Sequence, residues 1–188
     1  MDKFLKCLML ILVATLNFTF TSCGGDDDEP KSPGGETPTS KFKVREFTVD
    51  KYFCLYPSFI DVDGQNRDFC NIMSHDSAGD LSYKYVIGFG YSYHSMARNV
   101  RMAKCINVSS LSQITSLKGC VWIDYAMGDR NIYTNDDCFS LEENNGFILE
   151  GTYEGRTYYI RIYISSFNRN SAGEIIGVNG SYQQFIPN

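Results

Sequence analysis

From about residue 42 onward, hydrophobic and polar residues alternate with a period of two, and Gly, Asn, Asp and Ser interrupt the alternation at short intervals. Such a chain builds antiparallel strands joined by tight turns. The pattern is clearest near the C-terminus, where 147–153 (FILEGTY) passes through Glu154-Gly155 into 156–164 (RTYYIRIYI). On that second strand Tyr158, Ile160, Ile162 and Ile164 share one face and Tyr159, Arg161 and Tyr163 the other, which predicts the first face as core. Glu154-Gly155 predicts a two-residue hairpin turn, because Gly accepts the positive φ that primed turns demand. A last strand over 175–185 follows the turn 168–173 (NRNSAG) and is predicted to point Ile176, Val178, Gly180 and Tyr182 inward. Other strands are predicted at 43–49, 52–55, 69–73, 100–108, 120–125 and 132–134. Residues 108–118 (VSSLSQITSLK) space Leu111, Ile114 and Leu117 at three behind Ser109 and Ser110, which predicts one short helix or helical turn. The expected fold class is all-β: an antiparallel β-sandwich or barrel with at most one short helix.

One strand stands out. Residues 83–93 (YKYVIGFGYSY) put Tyr83, Tyr85, Ile87, Phe89, Tyr91 and Tyr93 on one side and Lys84, Val86, Gly88, Gly90 and Ser92 on the other. The glycines allow a backbone or a large side chain to approach closely. The aromatic row reads first as core, but exposed rings would form a carbohydrate-stacking platform. Tyr83, Tyr85, Tyr91 and Tyr93 are therefore the candidate ligand-facing aromatics.

The N-terminal segment follows different rules. Lys3 and Lys6 precede an apolar run over 7–20 (CLMLILVATLNFTF) that ends in Thr21 and Ser22. The run is shorter than a membrane-spanning helix needs and carries polar residues in its second half, so it reads as a secretory signal peptide. Phe20-Thr21-Ser22-Cys23 resembles a bacterial lipobox, with Phe where that motif usually has Leu. The resemblance implies that Cys23 becomes the lipidated N-terminus. Several acyl chains, palmitate among them, anchor durably where one binds reversibly, since each buried methylene contributes about 0.8 kcal/mol. Asp26, Asp27, Asp28 and Glu29 follow at once, and this arrangement resembles the export signal of surface lipoproteins in the Bacteroides group. It implies an outer-membrane protein, lipid-anchored and facing the cell exterior. The next stretch, PKSPGGETPTS, cannot bury a core and reads as a flexible tether. The expected organisation is signal peptide 1–22, lipidated Cys and acidic tether 23–41, and a single β domain 42–188. Over about thirty residues the last two strands are also similar to those of a group of small uncharacterised Bacteroides-type lipoproteins, a resemblance that implies no activity.

The chain has 188 residues and a formal net charge of −5, and it shows no concentrated Lys/Arg field. A nucleic-acid partner is thereby excluded from the expected ones. With Cys7 in the signal and Cys23 lipidated, Cys54, Cys70, Cys105, Cys120 and Cys138 remain in the domain. Their odd number permits at most two internal disulfides, and spacing does not choose the pairing. No C-x2-C pair exists and Cys70 to His75 is an isolated C-x4-H, so no metal site and no cofactor are expected. His75 beside Asp76 lacks an accompanying nucleophile motif, and His94 reads as a polar edge residue. The loop 61–68 (DVDGQNRD) alternates oxygen donors as calcium loops do, yet it carries Arg67 and reads more simply as an Asp-Gly hairpin turn. Asp129, Asp136 and Asp137 form a second acidic loop. Asp76-Ser77-Ala78 resembles the protein O-glycosylation motif of the Bacteroides group, which implies a glycan on Ser77. Asn107-Val108-Ser109 fits a sequon that means little in a bacterial lipoprotein.

No coherent acid/base or nucleophile set emerges, and no catalytic residue is assigned. The expected function is a binding or interaction module with a glycan or protein ligand. The rival is a small glycan-processing hydrolase whose paired carboxylates would come from Asp61, Asp63, Asp124, Glu142, Glu143 and Glu150. A structural envelope component without a ligand is the third reading.

Overall fold

A computed structural model describes residues 42–76, 85–90, 95–105, 108–124 and 138–188. Most of the described residues are in strands. They are β1 (Arg45–Asp50), β2 (Cys54–Leu55), β3 (Ser58–Ile60), β4 (Asn66–Asp68), β5 (Ile72–Asp76), β6 (Tyr85–Phe89), β7 (Arg98–Cys105), β8 (Val121–Asp124), β9 (Cys138–Ser140), β10 (Asn145–Tyr153), β11 (Arg156–Arg169) and β12 (Ile175–Phe185). They form a six-stranded sheet in the order β1-β12-β11-β10-β7-β8, a four-stranded sheet β2-β5-β6-β9 and the small hairpin β3-β4. All pairings are antiparallel. The all-β, sandwich-like fold class holds.

The predicted helix at 108–118 is a single 3-10 turn, Leu111–Gln113, and the Ser110 hydroxyl that precedes it bonds to the Ser112 hydroxyl at 3.0 Å instead of capping a backbone N–H. The strands expected at 69–73 and 100–108 are displaced to Ile72–Asp76 and Arg98–Cys105. The short β3, β4 and β9 had no strand expectation, and 132–134 lies outside the described residues.

The Glu154-Gly155 turn is as expected: Tyr153 pairs with Arg156, and both turn residues have positive φ, 49° and 73°. Those angles are the signature of a primed turn, whose twist matches that of the flanking strands. The inward set of β12 needs one correction. Register slips between Asn168 and Arg169, and Arg169 pairs with Ile175. A bulge of this kind re-aims the side chains beside it. Ile175 is therefore buried in the core, whereas Ile176 is 51% exposed. Val178, Gly180 and Tyr182 are buried as expected.

The large sheet is covered on its front face and over the middle of its back face. Its front face carries Tyr158, Ile160, Ile162 and Ile164 of β11 with Phe147 and Leu149 of β10, packed with Phe59, Ile72, Tyr85, Ile87 and Phe89 from the smaller sheets and Phe69 just after β4. The β3-β4 hairpin is clipped over this side by Gln184, which accepts from the Ile60 N–H at 2.6 Å and donates to its carbonyl at 3.2 Å. On the back face lies a smaller apolar cluster of Ala103, Cys105, Leu111, Ile114, Ile148, Tyr163 and Phe185. Its cover is the strap 108–120, which joins β8 and lies over Gly146. A Cβ at that glycine would stand 2.6 Å from Ile114 Cδ1 and 2.7 Å from Val108 Cγ2.

Candidate functional site

Cross-strand register sorts the back face into rows. Asp124, Arg101, Glu150, Tyr159 and Phe185 lie side by side, followed by Trp122, Ala103, Ile148, Arg161 and Gln183. The strap covers the middle of this face through polar as well as apolar contacts. Arg161, 4% exposed, donates to the Ile114 carbonyl at 2.9 Å and from two nitrogens to Gln183 Oε1. Burial holds its guanidinium below the usual arginine range. The Tyr163 hydroxyl donates to the Ser109 carbonyl at 2.7 Å, and the Asn188 N–H to the Thr115 carbonyl at 2.8 Å.

Beyond the strap, β11, β12 and β1 continue with two further rows, Ser166–Asn179–Thr48 and Asn168–Gly177–Asp50. Here the polar side chains bond to one another. Asn179 and Asn168 exchange amide hydrogen bonds of 2.8 and 3.3 Å, Thr48 Oγ1 donates to Asn179 Oδ1 at 3.0 Å, and Asn179 Nδ2 donates to Ser166 Oγ at 3.0 Å. An open groove of about 530 Å³ lies at this end of the sheet, lined among others by Thr48, Asp50, Tyr52, Phe53, Asn168 and Ile176. Tyr52 is 58% exposed, with Lys51 Nζ 4.8 Å from its ring centre. Phe53 is buried and lies 6.3 Å from Phe47, ring centre to ring centre, which fixes the backbone that presents Tyr52.

The aromatics anticipated from the sequence fare differently. Tyr85 is buried in the main core, and every residue of β6 is buried. As a ligand-facing residue Tyr85 is therefore corrected to core, because its face of β6 packs with Ile87 and Phe89 into the main core cluster, its ring 6.5 Å from that of Phe167, centre to centre. The close approach expected at Gly88 and Gly90 is seen at Gly90, just after β6, where a Cβ would strike the Met73 and Asn71 side chains. Tyr83, Tyr91 and Tyr93 lie outside the described residues, as do Cys23, Asp26, Asp27, Asp28, Glu29, Ser77, His94, Asn107, Asp129, Asp136 and Asp137. His75 and Asp76 are consecutive residues at the end of β5.

Asp61 Oδ1 accepts the N–H groups of Asp63 and Gln65 at 2.9 and 2.8 Å, and Oδ2 meets Arg67 Nε at 2.9 Å. The Arg67 guanidinium, with those amides, holds its carboxyl below the usual aspartate range. The loop is thus an internally closed hairpin turn, with an arginine where a calcium loop would place its cation. Glu150 receives Arg101 in a fork at 2.8 and 2.9 Å, and that guanidinium lies 4.2 Å from the Trp122 ring centre. Glu142 pairs with Lys104 at 3.3 Å, and Asn145 and Lys104 hold it below the usual glutamate range. Glu143 accepts the Phe167 N–H at 3.1 Å and faces Arg169 at 3.9 Å. Asp63 and Asp124 are exposed. The carboxylates thus serve separate ion pairs and turns instead of facing one another across a cleft. Among the described residues no cluster of three His, Cys, Asp or Glu side chains could hold a metal ion, and no helix is long and apolar enough to cross a membrane.

Tyr52, Thr48 and Asn168 were not among the sequence candidates. In Lys51-Tyr52-Phe53 a tyrosine flanked by lysine alternates with a phenylalanine, which is the available signal that Tyr52 faces solvent while Phe53 faces core. Set against models of known protein families, curated proteins and solved structures, the chain matches none.

Proposed function

We propose that the chain is a lipid-anchored outer-membrane protein displayed on the cell surface, and that its β domain binds a neutral glycan in the groove beside Tyr52. The observation that carries the binding reading is the exposed Tyr52 ring set next to the amide and hydroxyl groups of Asn168 and Thr48 in an open groove. A sugar offers an apolar C–H face to an aromatic ring, and hydroxyls that both donate and accept. Amides and hydroxyls are the side chains that answer in both senses. The anchoring reading is supported by the charged start, the apolar run, Cys23 and the acidic residues Asp26 to Glu29, followed by a tether that holds the domain clear of the membrane.

Binding is tested on an array of neutral oligosaccharides with the full chain. The wild type is expected to bind, and Tyr52→Ala to weaken binding tenfold or more, about 1.4 kcal/mol, with an unchanged circular dichroism spectrum. A silent array, or undiminished binding by the variant, contradicts the groove assignment. Proteinase K treatment of intact cells tests the address. A C-terminal epitope is expected to be lost in the wild type and protected in Cys23→Ala and in a form neutralised at Asp26 to Glu29. Protection in all three sinks surface display.

A further inference from the structure

Cys105 and Cys120 stand opposite each other where the β7–β8 pairing ends. The register Arg101↔Asp124, Met102↔Ile123, Ala103↔Trp122 and Lys104↔Val121 continues by one residue on each strand to these two cysteines. Parity puts both on the back face with Ala103 and Trp122, and both sulfurs pack in the cluster that the strap covers. Directly opposed antiparallel residues hold their Cβ atoms about 4.5–5.5 Å apart. A disulfide needs about 3.5–4.5 Å, so a small inward movement closes the gap. The two thiols are free in this structure, Cys105 buried and Cys120 half-exposed. Cys70 and Cys138 are also buried, and Cys54 gives its thiol hydrogen to Asn71 Oδ1 at 2.7 Å.

We propose that Cys105 and Cys120 form a reversible disulfide that locks the strap onto the back face of the large sheet. The bond follows from the β7–β8 register and stands whether or not the groove binds a glycan. The oxidant is a disulfide, RSSR, carried by a small thiol or an oxidised thiol oxidoreductase. The Cys120 thiolate attacks one sulfur of RSSR, the S–S bond of RSSR breaks, and the departing RS⁻ takes up the proton that Cys120 released. The Cys105 thiolate then attacks the Cys120 sulfur of the mixed disulfide and expels the second RS⁻, which takes the Cys105 proton. Two protein thiols are oxidised to one disulfide and RSSR is reduced to two RSH. Burial and the neighbouring Cys120 push the Cys105 thiol up to about 12, which leaves the more accessible Cys120 to meet the oxidant first.

The sequence supplies a direct test, because the exposed Lys118 lies between the two cysteines. Full chain in detergent is incubated with oxidised glutathione, blocked with iodoacetamide, denatured and cut with trypsin. The peptides 105–118 and 119–130 are expected as one species, lighter than their sum by two hydrogens, that separates on reduction. Cys120→Ser, whose side chain is the less buried of the pair, is expected to give no linked species. The oxidised wild type is expected to melt roughly 5–10 °C above the reduced form, since a loop of this length is closed. Three outcomes overturn the proposal: the two peptides recovered apart from oxidised, folded wild type, either cysteine bridged to Cys54, Cys70 or Cys138, or the linked form melting no higher than the reduced one.

Discussion

The two faces of the six-stranded sheet are built from the same strands and solve the problem of burial differently. The front face is apolar along the middle of β10 and β11, and its β11 residues Ile160, Ile162 and Ile164 are fully buried against the smaller sheets. The back face mixes apolar residues with Arg101, Glu150, Arg161, Gln183, Asn179 and Thr48, and a strap covers only its middle. Burying a polar group costs free energy unless its hydrogen bonds are replaced, and the covered Arg161, Gln183 and Tyr163 each have such a partner. Beyond the strap that requirement lapses: the Thr48–Asn168–Asn179 end is open to solvent beside the groove. Thr48 and Asn168 keep hydrogen-bonding capacity beyond their bonds to Asn179, and a ligand in the groove can use it.

The strongest way to break this contrast is to cut into the front face. Ile160→Ala is expected to lower unfolding free energy by about 3–4 kcal/mol in urea titration, from lost transfer and the cavity left behind. A loss below about 1 kcal/mol there would show that the front face is not the principal core.

Next comes the back face. Gln183→Ala is expected to cost about 2 kcal/mol, because Arg161 then retains the Ile114 carbonyl but loses its side-chain acceptor. The double variant Arg161→Met, Gln183→Leu is expected to recover most of that loss in the same titration, since a buried charge and its acceptor leave together. A double variant as unstable as the single would show that Arg161 stabilises the strap through more than hydrogen bonding.

A third effect appears only in acid. The Arg67 ion pair and two backbone amides hold the Asp61 carboxyl below its ordinary value of 3.8. A depressed carboxyl contributes stability that is present above the unfolded value and is lost as pH falls through the folded one. Thermal melts below pH 3.8 should therefore fall more steeply for the wild type than for Asp61→Asn. Parallel acid limbs would remove Asp61 from the forces that hold the β3-β4 hairpin over the front face.

The smallest effect is at the turn between β10 and β11, which both faces share. Glu154 sits at φ 49°, a region that Asn enters more readily than Glu. Glu154→Asn is expected to stabilise by about 0.5 kcal/mol, read as a higher urea midpoint with an unchanged slope. A lower midpoint would mean that the Glu154 side chain matters beyond its backbone angle.

The same contrast explains what could be read from the sequence. The front face of β11 was legible because its apolar residues recur at strict period two, and the Glu154-Gly155 turn was legible from its glycine. The burial of Arg161 and Tyr163 was not, since their cover is an irregular segment whose Leu111, Ile114 and Leu117 spacing imitates a helix. Ile176 was misplaced because a bulge shifts parity without leaving any mark in the residue pattern. Tyr85 read as a two-sided case because periodicity reports that a face is apolar, not what lies against it. The groove was hidden for a related reason: Thr48, Tyr52 and Asn168 are separated along the chain, and only the pairing of β1 with β12 and of β12 with β11 brings them together.

Amide hydrogen exchange of the full chain, with and without the oligosaccharide giving the strongest array signal, tests the open end of the back face most directly. Slowed exchange is predicted at 48–54, 168 and 176–177, with no change across the strap at 109–118. Protection centred on the strap, or on the Arg101–Glu150 row, would place the ligand elsewhere and contradict the account.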